Sequence, residues 1–276
     1  LQRVWDSGKR VHFAARRFFK LFVILLISFA IHFPWQVFGA GHGDSTAALI
    51  HWMCEVDVLA CLAMSLTILL LGAVFCQWEM IFTIVCGLLA AAAVALAPVA
   101  AAWAGENAAA KMLLSWLNVN HGALFPLLPW LAFVALGAVL SRWRGKVSAF
   151  LGAAGICWLG AHLIPRLPGV TALAQPDFFL ERLAWVLLLG ALFALWRQAG
   201  RSRFLSFCGR YSLLLYVIHL EMIYGVLVHC SFFKNVSAAT AVGVSTLITL
   251  AGSLGLALAW DRLRAQKLSL PKTPPV

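Results

Sequence analysis

Val56–Cys76, VDVLACLAMSLTILLLGAVFC, holds one charged residue, Asp57, in a run long enough to cross a membrane. About 20 apolar residues in α-helix span roughly 30 Å of hydrocarbon. Helix is the state that fits, because an open strand leaves its N–H and C=O groups unsatisfied in lipid and the alternation of a barrel wall is absent. Windows of the same kind follow outward from this one. They cover Phe18–Phe38 before it, and Met80–Trp103, Leu124–Leu140, Val147–Ile164, Leu183–Trp196, Tyr211–Cys230 and Ala238–Trp260 after it. The expected fold is all-α, a polytopic bundle of about eight transmembrane helices. An amphipathic piece, Ala108–Leu117, is expected between the third and fourth spans, lying at the outer interface or dipping back into the protein.

Composition agrees with this reading. Of the 276 residues, 63% are hydrophobic and 11% charged, whereas a soluble domain carries about 25% charged residues. The net charge of +11 follows from the bias that sets membrane topology, so nucleic-acid binding is not expected. With Lys20, in the first turn of the first window, counted with the basic segment ahead of it, seventeen of the 21 lysines and arginines fall in the alternate segments that include both ends of the chain, and four in the others. Both termini are therefore expected in the cytoplasm, with residues 1–17 a basic cytoplasmic segment, 18–260 the transmembrane domain and 261–276 a cytoplasmic tail. The seven cysteines are odd in number, lie mostly in apolar runs and form no C-x-x-C pair. They read as small buried hydrophobes and imply neither a disulfide framework nor a metal site.

Titratable residues at membrane depth are costly and mark candidate sites. In RYSLLLYVIHLEMIY, residues 210–224, Tyr216 and His219 are three apart, as are Glu221 and Tyr224, so each pair can meet on a helix surface. The outer face gathers His42, Asp44, His51, Glu55 and Asp57. His51 and Glu55 share a face if the second helix begins that early, and a histidine held by a carboxylate suits a general base. Asp57, at the lip of an apolar run, is the better candidate. A second outer cluster holds Asn118, Asn120 and His121 ahead of Pro126, Pro129 and Trp130. Prolines there open the first helical turn and free backbone groups to face a cavity, and Trp130 can stack on a sugar or anchor at the interface. On the cytoplasmic side, Arg142, Arg144 and Arg210 with their neighbours can hold phosphates or simply set topology. His32, His162 and His229 keep a haem reading open, though no spacing singles out a ligand pair. Phosphate-loop, zinc-protease and hydrolase-elbow signatures are absent.

Three segments carry a resemblance: EVDVLACLAMSLTILLL (55–71), FPLLPWLAFVALGAVL (125–140) and RFLSFCGRYSLLLYVIHLEMIY (203–224). Together they resemble the bacterial membrane acyltransferases related to heparan-alpha-glucosaminide N-acetyltransferase and, more distantly, the enzymes that O-acetylate surface sugars. The resemblance implies transfer of an acyl group, usually acetyl, from cytoplasmic acetyl-CoA to a glycan or lipid-linked sugar, in the bacterial inner membrane. It implies His219, Asp57 and Tyr216 as candidate catalytic residues. Arg142, Arg144 and Arg210 would then hold the phosphates of coenzyme A, Trp130, His121 and Glu55 the acceptor, with no metal. These families begin with a helix pair bearing a D-x-x-R-G-like segment and a histidine, neither of which stands in this sequence. If that pair lies before Leu1, Asp57, Trp130, Arg210, Tyr216 and His219 form the supporting wall of the site. A proton-coupled transporter or flippase is the alternative that ionisable residues at depth suggest, although the inverted repeats of such proteins are not visible.

Overall fold

A computed structural model describes residues 10–31, 49, 52–53, 55–76, 78–103, 107–118, 123–142, 146–164, 176–198, 211, 216 and 238–269. Among the described residues the chain is all-helical, without a strand. The helices are α1 (Arg10–Ile31), α2 (Val58–Phe75), α3 (Glu79–Ala101), α4 (Ala108–Ser115), α5 (Leu127–Leu140), α6 (Val147–Leu163), α7 (Pro176–Gln198) and α8 (Ala238–Ser269). The chain forms two compact units, Leu1–Leu195 and Trp196–Val276.

Three segments are long and apolar enough to cross a membrane: Val58–Phe75, Glu79–Ala101 and Asp177–Trp196. Leu127–Leu140, Val147–Leu163 and Thr246–Trp260 are apolar but shorter. The expected first span is helical only to Ile31 within the described residues, and its basic approach is helix too, since α1 runs unbroken from Arg10. The expected seventh span, Tyr211–Cys230, lies outside the described residues apart from Tyr211, which is buried, and the half-buried helical Tyr216. The amphipathic piece is present as α4.

Local chemistry sets the helix limits. Asp57 is the N-cap of α2, its side chain accepting from Ala60 N–H at 2.7 Å, and Cys76 closes the helix by donating to the Gly72 carbonyl at 2.8 Å. Extended Trp78 turns the chain into α3, whose first turn carries Glu79, a favourable charge at a helix N-terminus. Asn107 caps α4 by accepting from Ala110 N–H at 2.8 Å. In α5, Leu128 departs from helical geometry with φ −103° and ψ 122°. The ring of Pro129 drives the preceding residue out of the α region, so the regular helix starts only at the proline.

The core of the first unit lies between α3 and α5. Phe82, Cys86, Ala90 and Ala93 bury one stripe of α3, and Leu131, Ala132 and Ala135 meet it from α5. Alanine at this seam lets the helix backbones approach closely, which is how packing holds helices together where lipid weakens the hydrophobic drive. Leu69 and Ala73 of α2, Ala154 of α6, and Phe179, Leu183 and Leu187 of α7 complete the cluster. α1 packs along α2.

Candidate functional site

At the start of α2, backbone that is not helical is buried at Val56 and Asp57. Glu55, Val56 and Asp57 are not helical, Asp57 is extended, and Val56 is 1% exposed. The Val56 carbonyl accepts two hydrogen bonds, from Leu124 N–H at 3.1 Å and Phe125 N–H at 3.0 Å. Leu127 N–H, at the mouth of α5, donates to the Trp116 carbonyl at 2.7 Å. The two chain segments thus satisfy each other where no helix can. In a spanning protein, irregular backbone survives at depth only inside protein or along a cavity, so this junction is where a site can be built.

Asp57 sits at its centre, 3% exposed. Oδ1 receives both Ala60 N–H and the hydroxyl of Ser28, a residue of α1 that is itself 2% exposed. Further along the same face of α2 come Cys61 and Ser65, at helical spacing, with sulfur and hydroxyl 4.0 Å apart. Cys61 Sγ also lies 3.9 Å from the Pro126 carbonyl, one of the groups that a proline-opened turn releases.

Aromatic rings and one amide frame the junction. The Trp52 indole donates to the Phe29 carbonyl at 2.8 Å, and the two rings meet edge to face at 5.6 Å. Trp130 is half-buried among Phe125 (4.9 Å between centroids), Phe133 (5.5 Å) and Phe178 (6.3 Å). The Arg182 guanidinium lies 3.5 Å over the Phe178 ring, a cation–π contact. Asn118, 2% exposed, donates to the Ala100 carbonyl at 2.7 Å and ties the end of α4 to the end of α3.

The structure therefore brings Asp57 and Trp130 to one region, with Val56, Phe125 and Trp130 in a single apolar cluster. Glu55 is nearby and half-buried, but it does not share a helix face with His51. Asp57 starts the helix at Val58, three residues after Glu55, and His51 lies outside the described residues. His121, Arg144, Arg210 and His219 also lie outside them, and Tyr216 belongs to the second unit. Arg142 is at the other end of α5. It pairs with Glu79 at 2.9 Å and donates to the Glu79 carbonyl at 3.1 Å. His162 is exposed, its ring 4.2 Å from Trp158 and Nδ1 2.9 Å from the Trp158 carbonyl of its own helix. Ser28 is the residue that sequence reasoning passes over, since a serine in an apolar run carries no signal of its partner 29 residues away. Among the described residues no group of three or more His, Cys, Asp or Glu is placed to hold a metal ion.

No protein-family model, no curated protein and no solved structure matches the chain.

Proposed function

We propose that the protein is an integral membrane acyltransferase that moves an acetyl group from cytoplasmic acetyl-CoA to a glycan or lipid-linked sugar at the membrane. The enclosed Asp57 carboxylate carries this reading, because an acidic side chain 3% exposed, held between α1 and the head of α2, needs a use. Asp57 would take the proton of the acceptor hydroxyl or amine as that group attacks the acyl carbonyl, or orient the group that does. Trp130 offers an aromatic surface beside it for a sugar ring. Arg142, at the far end of α5, and Arg144, two residues on in the sequence, supply cationic charge for the phosphates of coenzyme A. The full reading places about eight spans in a bacterial inner membrane with both termini in the cytoplasm, following the distribution of basic residues.

The test is transfer of labelled acetyl from acetyl-CoA to a sugar acceptor by the full chain in liposomes. Asp57→Asn keeps an acceptor oxygen for Ser28 and Ala60 but removes the charge. A general base contributes about 10²- to 10⁴-fold in rate, so transfer should fall by at least 10²-fold. No transfer by the unaltered protein together with no binding of acetyl-CoA would sink the proposal.

One observation favours a second reading, a proton-coupled transporter or flippase. The non-helical stretches at Glu55–Asp57 and Leu128 resemble the interrupted helices at which transporters bind substrate. Proton-coupled uptake into vesicles, lost in Asp57→Asn, would favour that reading over acyl transfer.

A further inference from the structure

α1 carries two of its basic residues, Arg16 and Lys20, at a level where α2 holds no charged residue. Ser28 is level with Asp57, and Leu25 packs against the cluster of Val56, Ala60 and Cys61, so the two helices run antiparallel from this point. Lys20 lies eight residues before Ser28 and Arg16 twelve, or roughly 12 and 18 Å down the helix at 1.5 Å per residue. The apolar run of α2 continues for 18 residues, Val58–Phe75, about 27 Å by the same rise. Measured along α1 from Ser28, both basic residues therefore fall short of the level at which α2 ends.

Trp78 and Trp103 mark the same depth independently. They flank α3, are 68% and 55% exposed, and lie about 37 Å apart along it, which matches a bilayer with its interfaces. With Trp78 just past the end of α2, Arg16 falls about 10 Å inside that interface and Lys20 about 16 Å. A bare cation at such a depth is costly. Arg16 and Lys20 are exposed all the same, and one turn apart on one side of α1.

A second feature identifies what covers them. Phe18, Phe19 and Phe22 are also exposed, and at 100° per residue they form a separate apolar stripe on the same turns of α1. A carboxylate-bearing helix would complement the cations alone. A phospholipid complements both stripes, with an anionic headgroup for the cations and acyl chains for the rings.

We propose that Arg16 and Lys20 bind the phosphate of an anionic phospholipid drawn down beside α1 from the leaflet on the Trp78 side, its chains lying on Phe18, Phe19 and Phe22. Lean of the side chains towards the helix N-terminus, here the same interface, shortens the distance the headgroup must descend, and local thinning of the bilayer supplies the rest. The inference rests on the membrane placement of α1 and not on acyl transfer, so failure of the transfer assay leaves it standing.

The full chain is reconstituted in nanodiscs of phosphatidylcholine alone or mixed equally with phosphatidylglycerol, and its Tm measured. Phosphatidylglycerol should raise Tm by about 4–8 °C, and R16Q/K20Q should lose the rise while R16K keeps it. A rise of equal size in R16Q/K20Q, or none in the unaltered protein, overturns the proposal. Native mass spectrometry of the unaltered protein from the mixed membrane reads the same point without a variant. Retained phosphatidylglycerol in excess over phosphatidylcholine supports the site. Equal retention, or a dimer or acidic protein seated on α1 in place of lipid, overturns it.

Discussion

The two ends of the α2–α3–α5 module each hold a carboxylate, and they treat it in opposite ways. Glu79 meets Arg142 with both side chains in contact with the surroundings, 43% and 40% exposed. Asp57 is enclosed and held by the Ser28 hydroxyl and a backbone N–H. An exposed pair gains little, because the solvent or headgroup layer would solvate either charge nearly as well; its usual worth is about 0–1 kcal/mol. An enclosed carboxylate has exchanged water for fixed donors, so these donors lose that acceptor when it is removed. The Asp57 end is thus built around its charge, whereas the Glu79 end is fastened by one.

The largest effect expected is for Asp57→Ala. It removes the N-cap of α2 and leaves the Ser28 hydroxyl and Ala60 N–H without their shared acceptor. A lost cap costs about 0.5–2 kcal/mol and a stranded buried donor about 1–3 kcal/mol. Together these predict a loss of roughly 2–4 kcal/mol, read as the midpoint of unfolding by a denaturing detergent. Asp57→Asn, which retains the acceptor oxygen, should lose clearly less than Asp57→Ala. Equal losses would mean that the cap and the hydroxyl contact contribute nothing, and the contrast between the ends would collapse.

Ser28→Ala comes next, at about 1–2 kcal/mol, since it removes one hydrogen bond to a charged group while the Ala60 N–H remains. Combining it with Asp57→Ala tests whether the two residues act as a pair. The double variant should lose little more than Asp57→Ala alone, because residues in contact are not additive. Full additivity would show that Ser28 stabilises α1 for some other reason.

Much of this architecture is visible in the chain before any coordinates. The apolar windows locate α2, α3, α5, α6 and the core of α8 to within a few residues, because length and hydropathy are local properties. Ala108–Leu117 is legible for the same reason, and Pro129 announces the break at Leu128. Asp57 is legible as a residue and, by its place, as a cap. Its position immediately ahead of an apolar periodic run is a helix-start signal, and it would have fixed the start of α2 at Val58 and removed the His51–Glu55 pairing. The partners are what the chain conceals. Ser28 and Asp57 are 29 residues apart, and Glu79 and Arg142 63; both pairings are set by the packing of α1 on α2 and of α3 on α5, which no local pattern encodes. Basic neighbours in sequence make Arg142 readable as one of several phosphate ligands, and its neighbour in space, Glu79, is not legible there.

The smallest effect is expected at that pair, and it is the sharpest test of the contrast. Glu79 stands in the first turn of α3 and Arg142 just beyond the last turn of α5, so each charge already suits the dipole of its own helix. Both can be solvated if the partner is lost. Glu79→Gln and Arg142→Gln should each cost at most about 1 kcal/mol, and a double-mutant cycle should return a coupling of about 0.2–1 kcal/mol. A coupling as large as the loss in Asp57→Ala would show that this end too is shielded from solvent. The two substitutions should nevertheless diverge in acetyl transfer. Arg142→Gln removes a cation from the proposed phosphate site and should raise KM for acetyl-CoA with kcat little changed, the signature of lost uniform binding. Glu79→Gln releases the same cation from its carboxylate and should lower KM. Matching changes in both variants would mean that Arg142 only fastens α3 to α5, leaving the donor phosphates to Arg144 and its neighbours.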